Sequence, residues 1–159
     1  MFELRGFGRL QAALSGMAEA VGAEGMDSVM VDIGIVAEAA ISRAFSRETA
    51  PEIVAGSGKA EVAAGQPWAP LAESTKNSRR GDGDAAVILR DTGRLSQSIG
   101  QRVGRLEVAV GTGVRYGAPH QTGTLESDKL PARPFIGVDY ADVDRMTDMV
   151  VRHLEAAIG

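Results

Sequence analysis

The sequence predicts an α+β fold: a small antiparallel β-sheet packed by a long helix in the N-terminal half and by a C-terminal helix, with a long irregular loop. Three observations predict it. Two segments carry apolar residues at the 3.6-residue spacing of a one-sided helix. Two adjacent segments near residue 100 alternate with a period of two and meet at a glycine-led turn. The order of strands and helices lacks the βαβ alternation of a parallel nucleotide-binding sheet. The chain has 159 residues, the size of one domain, so residues 1–159 are read as a single domain.

The elements follow in order. Phe2 to Arg5 alternates apolar and polar and reads as a short strand, broken by Gly6 and Gly8. Leu10, Ala13, Leu14, Met17 and Val21 recur at helical spacing until Gly22 and Gly25. The clearest helix covers about 27–48. Asp27 or Ser28 can cap it, and Val29, Met30, Ile33, Val36, Ala37, Ala40, Ile41 and Ala44 form its apolar stripe. Pro51 is expected to stop it, because proline disfavours helix at the residue before it.

Residues 49–86 show no sustained period and read as a long extended loop or arm. A stretch of that length needs either mobility or a partner that orders it. Trp68, the only tryptophan, sits between Pro67 and Pro70. It is expected to anchor the loop, either as a plug within one subunit or as a contact between subunits. Ala86 to Leu89 is a candidate strand. Asp91 or Thr92 can cap a turn holding Arg94, Leu95 and Ser96. Ser98–Val103 and Leu106–Gly111 read as two strands joined by Gly104-Arg105, a pairing that suits a type II′ turn. Tyr116 to Gln121 reads as a helical turn and 123–130 as loop. Pro131–Val138 reads as a last strand entered at an edge, since proline lacks a ladder donor. Asp142 can cap a terminal helix over about 142–158, with Val143, Met146, Val150, Leu154, Ala157 and Ile158 as its buried stripe.

Composition removes several classes of function. The chain has no cysteine, which excludes a disulfide framework, a thiolate nucleophile and a Cys-based metal site. Two histidines make a multi-His centre improbable, and no metal or cofactor is expected. No apolar run approaches the ~20 residues that cross a bilayer. The N-terminus does not read as a signal peptide, so a soluble, cytoplasmic chain without membrane contact is expected. Net charge is −4, which argues against coating DNA. Residues 1–56 carry 4 basic and 8 acidic side chains, 57–105 carry 8 and 5, and 106–159 carry 5 and 8. The basic middle could touch something anionic, or could neutralise the acidic flanks within one assembly.

No catalytic constellation emerges. There is no G-x-S-x-G elbow and no Walker A loop. His120 invites an acid–base role, but a lone histidine is more often structural. His153 reads as a boundary residue on the last helix. Asp82 with Asp84, and Asp142 with Asp144, are explained by solvation and capping. Lys76, Arg79 and Arg80 form a basic cluster with no interleaved aromatic residue for base stacking. No enzyme is therefore expected; a hydrolase using His120 and a DNA-binding regulator using the 76–80 cluster stand as lesser alternatives.

Several stretches occur in a set order: 65–71 with Thr75, Ile88 to Leu95 with Ser98-Ile99, Val110-Gly111-Thr112 with Tyr116-Gly117-Ala118, His120-Gln121-x-Gly123-Thr124, and Pro131 to Gly137. Together, over residues 45–140, they resemble the tailed-phage virion morphogenesis family, the Mu-like and P2-like tail-completion proteins. Gly117 departs from the family pattern, which more often has Ala after the Tyr, and 52–64 looks like an addition. The resemblance implies a structural virion protein that forms a ring at the head–tail junction (the neck), completes the tail and joins it to the head. A tail terminator or head-closure ring is the alternative station.

It further implies self-association, with six copies inferred from tail symmetry, and contact with other neck and tail proteins. Duplex DNA would pass through the lumen without specific binding. The bore should be acidic or neutral, because each Lys or Arg facing phosphate adds a salt-dependent hold. Localisation is then the virion, and the host cytoplasm during assembly. Trp68, Leu71, Arg79, Arg80, Gln121 and Arg133 are the candidate interface residues. For Trp68, Gln121 and Arg133 a role within one subunit is weighed equally. Arg133 is expected to pair with a carboxylate, Gly93 to permit a tight turn, and Phe135 and Ile136 to be core.

Overall fold

A long apolar stripe on one helix determines where everything else can pack. The structure, a computed structural model, describes residues 26–55, 65–78, 86–104, 106–124 and 130–158. Its elements are α1 (Met26–Arg47), β1 (Ile53–Val54), α2 (Glu73–Ser78), α3 (Arg94–Gln97), β2 (Ile99–Gly104), β3 (Glu107–Thr112), α4 (Gly117–Thr122), β4 (Gly137–Val138) and α5 (Tyr140–Ile158). The class is α+β, with two small antiparallel sheets, β1–β4 and β2–β3. The expected strand at 2–5 and helix from Leu10 to Val21 lie outside the described residues.

Helix α1 buries Met26, Val29, Met30, Ile33, Val36, Ala37, Ala40, Ile41, Ala44 and Phe45, the stripe expected from spacing and extended by one turn. It packs against the β2–β3 hairpin, α5 and β4. Its stop is not Pro51. The helix ends at Arg47, and Glu48 takes a left-handed φ of 52°. The Thr49 N–H then bonds back to the Ala44 carbonyl at 3.3 Å, closing the terminus as a Schellman turn. The Glu48 carboxylate accepts the Ile88 N–H, so a strained position also ties down a distant loop.

Helix α5 is held at its start by one carboxylate. Asp142, in the first turn, accepts the Asp139 N–H at 3.0 Å and pairs through both oxygens with one Arg43 nitrogen. A carboxylate reaching back to the cap residue is favoured by the free N–H groups there and by the helix dipole. The helix therefore starts two residues before the expected cap. Met146, Val150 and Leu154 are buried as predicted, whereas the side chains of Ala157 and Ile158 are outside the described set.

The hairpin differs from expectation by one residue. Its closing pair is Gly104–Glu107, so the loop is Arg105-Leu106, and Leu106 carries the left-handed φ, 57°. The paired Ile99, Gln101 and Val103 with Thr112, Val110 and Val108 form one face, and α1 covers it. Ala86–Leu89 is not a strand. It ends in a turn with Leu89 at φ 58°, and Ile88 and Leu89 are buried. Burial without ladder partners explains why the apolar run misleads.

The described parts of 49–86 are ordered rather than irregular throughout. Residues 65–68 run back along 48–50, with Ala50 N–H to Gln66 O at 2.9 Å and Trp68 N–H to Glu48 O at 2.7 Å. Strand β1 pairs with β4 at Ile53–Val138 and Val54–Gly137. Gly137 makes that crossing possible, because a Cβ there would lie 2.2 Å from the Ile53 carbonyl oxygen. Of the expected last strand over 131–138, only Gly137–Val138 pairs in a ladder. Phe135 and Ile136 are fully buried, each worth about 1.5–3 kcal/mol of transfer free energy. Phe135 and Trp68 both pack on the Phe45 ring, with centroids at 5.2 and 5.8 Å.

Candidate functional site

The segment Leu130–Ile136 is too irregular to satisfy its own backbone, so side chains must do it. Gln121 on α4 does most of that. Its Oε1 accepts the Phe135 and Ile136 N–H groups, each at 2.9 Å, and its Nε2 donates to the Ala55 and Ile136 carbonyls, each at 3.0 Å. Every strong valence of the amide is filled, which is what makes a buried amide tolerable. The helix is placed by Gly117, where a Cβ would come within 2.9 Å of the Thr112 methyl and 3.3 Å of Leu95. That contact gives a steric reason for glycine after Tyr116 in this chain.

Arg133 and Trp68 bind the arm to the same segment. Arg133 donates from Nε to the Ala69 carbonyl at 2.8 Å and from Nη2 to the Pro70 carbonyl at 2.9 Å. Its own N–H donates to the His120 carbonyl at 2.7 Å. Trp68 Nε1 donates to the Pro134 carbonyl at 2.8 Å. Trp68, Gln121 and Arg133 are thus brought together and buried within one chain. Arg79 and Arg80 lie outside the described residues. Lys76, the third member of the basic cluster, pairs with Glu73 at 2.8 Å.

Leu71 lines an open groove of about 660 Å³ beside this junction, with Thr75, Leu89, Leu95, Tyr116 and His120. Tyr116 is exposed and meets the His120 ring edge-on at 6.3 Å. Gly93 forms part of the wall at φ 74°, the tight turn expected there, but the N-cap of α3 is Gly93 itself rather than Asp91 or Thr92, and no side-chain cap forms; Thr92 Oγ1 accepts only the Arg94 N–H, at 3.4 Å. Asp91, Arg94 and Arg133 also line the groove, so its wall is mixed polar and apolar. The feature that sequence reasoning missed is the charge-paired junction of Arg43 and Asp142. It joins residues 99 positions apart, and no local spacing could signal it.

Among the described residues, no group of three His, Cys, Asp or Glu side chains could hold a metal ion. Among the same residues, no helix is long and apolar enough to cross a membrane. Trp68, Gln121 and Arg133 bond to main-chain groups of neighbouring segments, and the arrangement is that of a lock. No curated protein and no solved structure matches the chain. The sequence model of the phage virion morphogenesis family matches residues 7–155, nearly the whole length. The chain belongs to the phage virion morphogenesis family, and its role is in building the phage virion.

Proposed function

We propose that this protein is a non-catalytic ring component at the phage head–tail junction, which completes the tail and joins it to the head. The observation that carries this reading is how the buried polar side chains are used. Gln121, Arg133 and Trp68 all fasten main chain to main chain, and Asp142 fastens helix to helix. A body locked in this way is suited to bear load as a building block. The family assignment supports a virion role; ring formation and the neck position extend it.

The described parts of 49–86 pack on their own chain. Duplex DNA passes through the lumen without specific binding. Partners are other copies of the chain and adjoining neck and tail proteins, and the setting is the virion after assembly in the host cytoplasm. Disrupting the gene in the phage and imaging the lysate tests this. Expected are filled heads beside unjoined tails, with a labelled copy restored to the junction by complementation. Intact infectious particles without the protein would refute the proposal.

A further inference from the structure

The β2–β3 hairpin is a sheet of two strands, and such a sheet leaves half its backbone groups unpaired. A two-residue loop makes the closing pair Gly104–Glu107 a hydrogen-bonded one, and alternation extends this to Arg102–Ala109 and Gly100–Gly111. The N–H and C=O groups of Ile99, Gln101 and Val103 then point off the outer edge of β2. Those of Val108, Val110 and Thr112 point off the outer edge of β3. Among the described residues neither edge has a main-chain partner. Exposed edges are templates for pairing unless they are blocked. With α1 on one face, the other carries Gly100, Arg102, Gly104, Glu107, Ala109 and Gly111. Arg102 on β2 and Glu107 on β3 are its charged side chains, and both are exposed.

We propose that the outer edge of β3 pairs antiparallel with the outer edge of β2 in the next copy, with Glu107 opposite Arg102 of that copy. This deepens the ring reading and rests on it. The register is internally consistent. Glu107 opposite Arg102 puts Val108 opposite Gln101 and Val110 opposite Ile99, the residues whose backbone groups point off the two edges. Faces match as well, since each of these pairs joins residues from the α1-covered side. The alternative pairings fail on charge or gain none. Joining β2 to β2 about a two-fold axis centred on Arg102 sets like charges opposite each other, and β3 to β3 gives Glu107 no cation. A β3-to-β2 contact is head-to-tail, the type that closes a ring.

Two co-expressed single-cysteine chains test the contact, because the chain has no cysteine of its own. Arg102→Cys and Glu107→Cys together should yield a disulfide-linked pair on oxidation, while neither variant alone should, since like positions lie two strands apart. In parallel, Arg102→Glu and Glu107→Arg should each raise the concentration for half-assembly by about tenfold or more, and the double swap should restore it. Unchanged thermal melting of the variants shows that the exposed sites leave the fold intact. Rings without the crosslink overturn this interface and leave the ring standing. A chain that stays monomeric and never crosslinks overturns both.

Discussion

Gln121 treats Ile136 as a neighbouring strand would: its amide accepts the Ile136 N–H and donates to the Ile136 C=O, at 2.9 and 3.0 Å. One side chain thus replaces a missing strand beside a buried, irregular segment. The same amide ties in Phe135 and Ala55, so β1, α4 and the approach to β4 share a single fastening.

Gln121→Leu keeps the volume but leaves the Phe135 and Ile136 N–H groups and the Ala55 carbonyl without this partner. Each buried orphan costs about 1–3 kcal/mol, so unfolding in urea should show a loss of about 3 kcal/mol or more. Gln121→Glu should also destabilise, because a carboxylate would face two carbonyl oxygens. A midpoint within experimental error of wild type for both variants would contradict the lock.

Trp68 is the only tryptophan, so its emission reports directly on the docked arm. The residue is 4% exposed, and the native spectrum should be blue-shifted before any assembly occurs. Trp68→Phe keeps an aromatic ring against Phe45 but removes the donor to Pro134. A loss of about 1–2 kcal/mol is expected, against about 3–5 kcal/mol for Trp68→Ala. Emission like that of free indole in the unassembled protein would show the arm undocked.

Asp142 carries two duties, and two substitutions separate them. Asp142→Asn keeps an acceptor for the Asp139 N–H and loses the charge opposite Arg43. Arg43 is partly solvated, at 36% exposure, so this should cost only about 1 kcal/mol. Asp142→Ala loses the cap as well, and about 2 kcal/mol is expected. Equal effects in chemical denaturation would mean that the cap contributes nothing.

Gly137→Ala tests the close approach of β4 to β1. The new Cβ would meet the Ile53 carbonyl at 2.2 Å and Pro51 at 2.8 Å, and neither can rotate away. Overpacking of this kind costs about 1–3 kcal/mol. Amide exchange should quicken at Ala55, whose N–H bonds to the Ile136 carbonyl, before it does in α1. Uniform protection across both regions would show that β1 and β4 tolerate the extra atom.

The long helices were legible because their signal is local. A residue's neighbours at three and four positions away decide whether it lies on the stripe, and Ile33, Ala37 and Ile41 are all buried in the structure. The hairpin was legible for the same reason, but its turn was not. Gly104-Arg105 has the composition of a tight turn, yet cross-strand pairing moved the loop to Arg105-Leu106 and left Leu106 in a left-handed conformation. Small differences in turn preference are outweighed by a ladder of six residue pairs packed on α1.

By itself the sequence determined the α+β class, the two apolar stripes, the hairpin, the buried Phe135-Ile136 and, through ordered motifs, the family. These rest on periods and short motifs carried within a few dozen residues. Only the tertiary structure decided where the polar groups go. Gln121 finds partners 14–66 positions away, and Arg43 finds Asp142 across 99. Such pairings are selected by the need to satisfy buried charges and amides once the chain is folded, and a need created by folding leaves no period in the sequence.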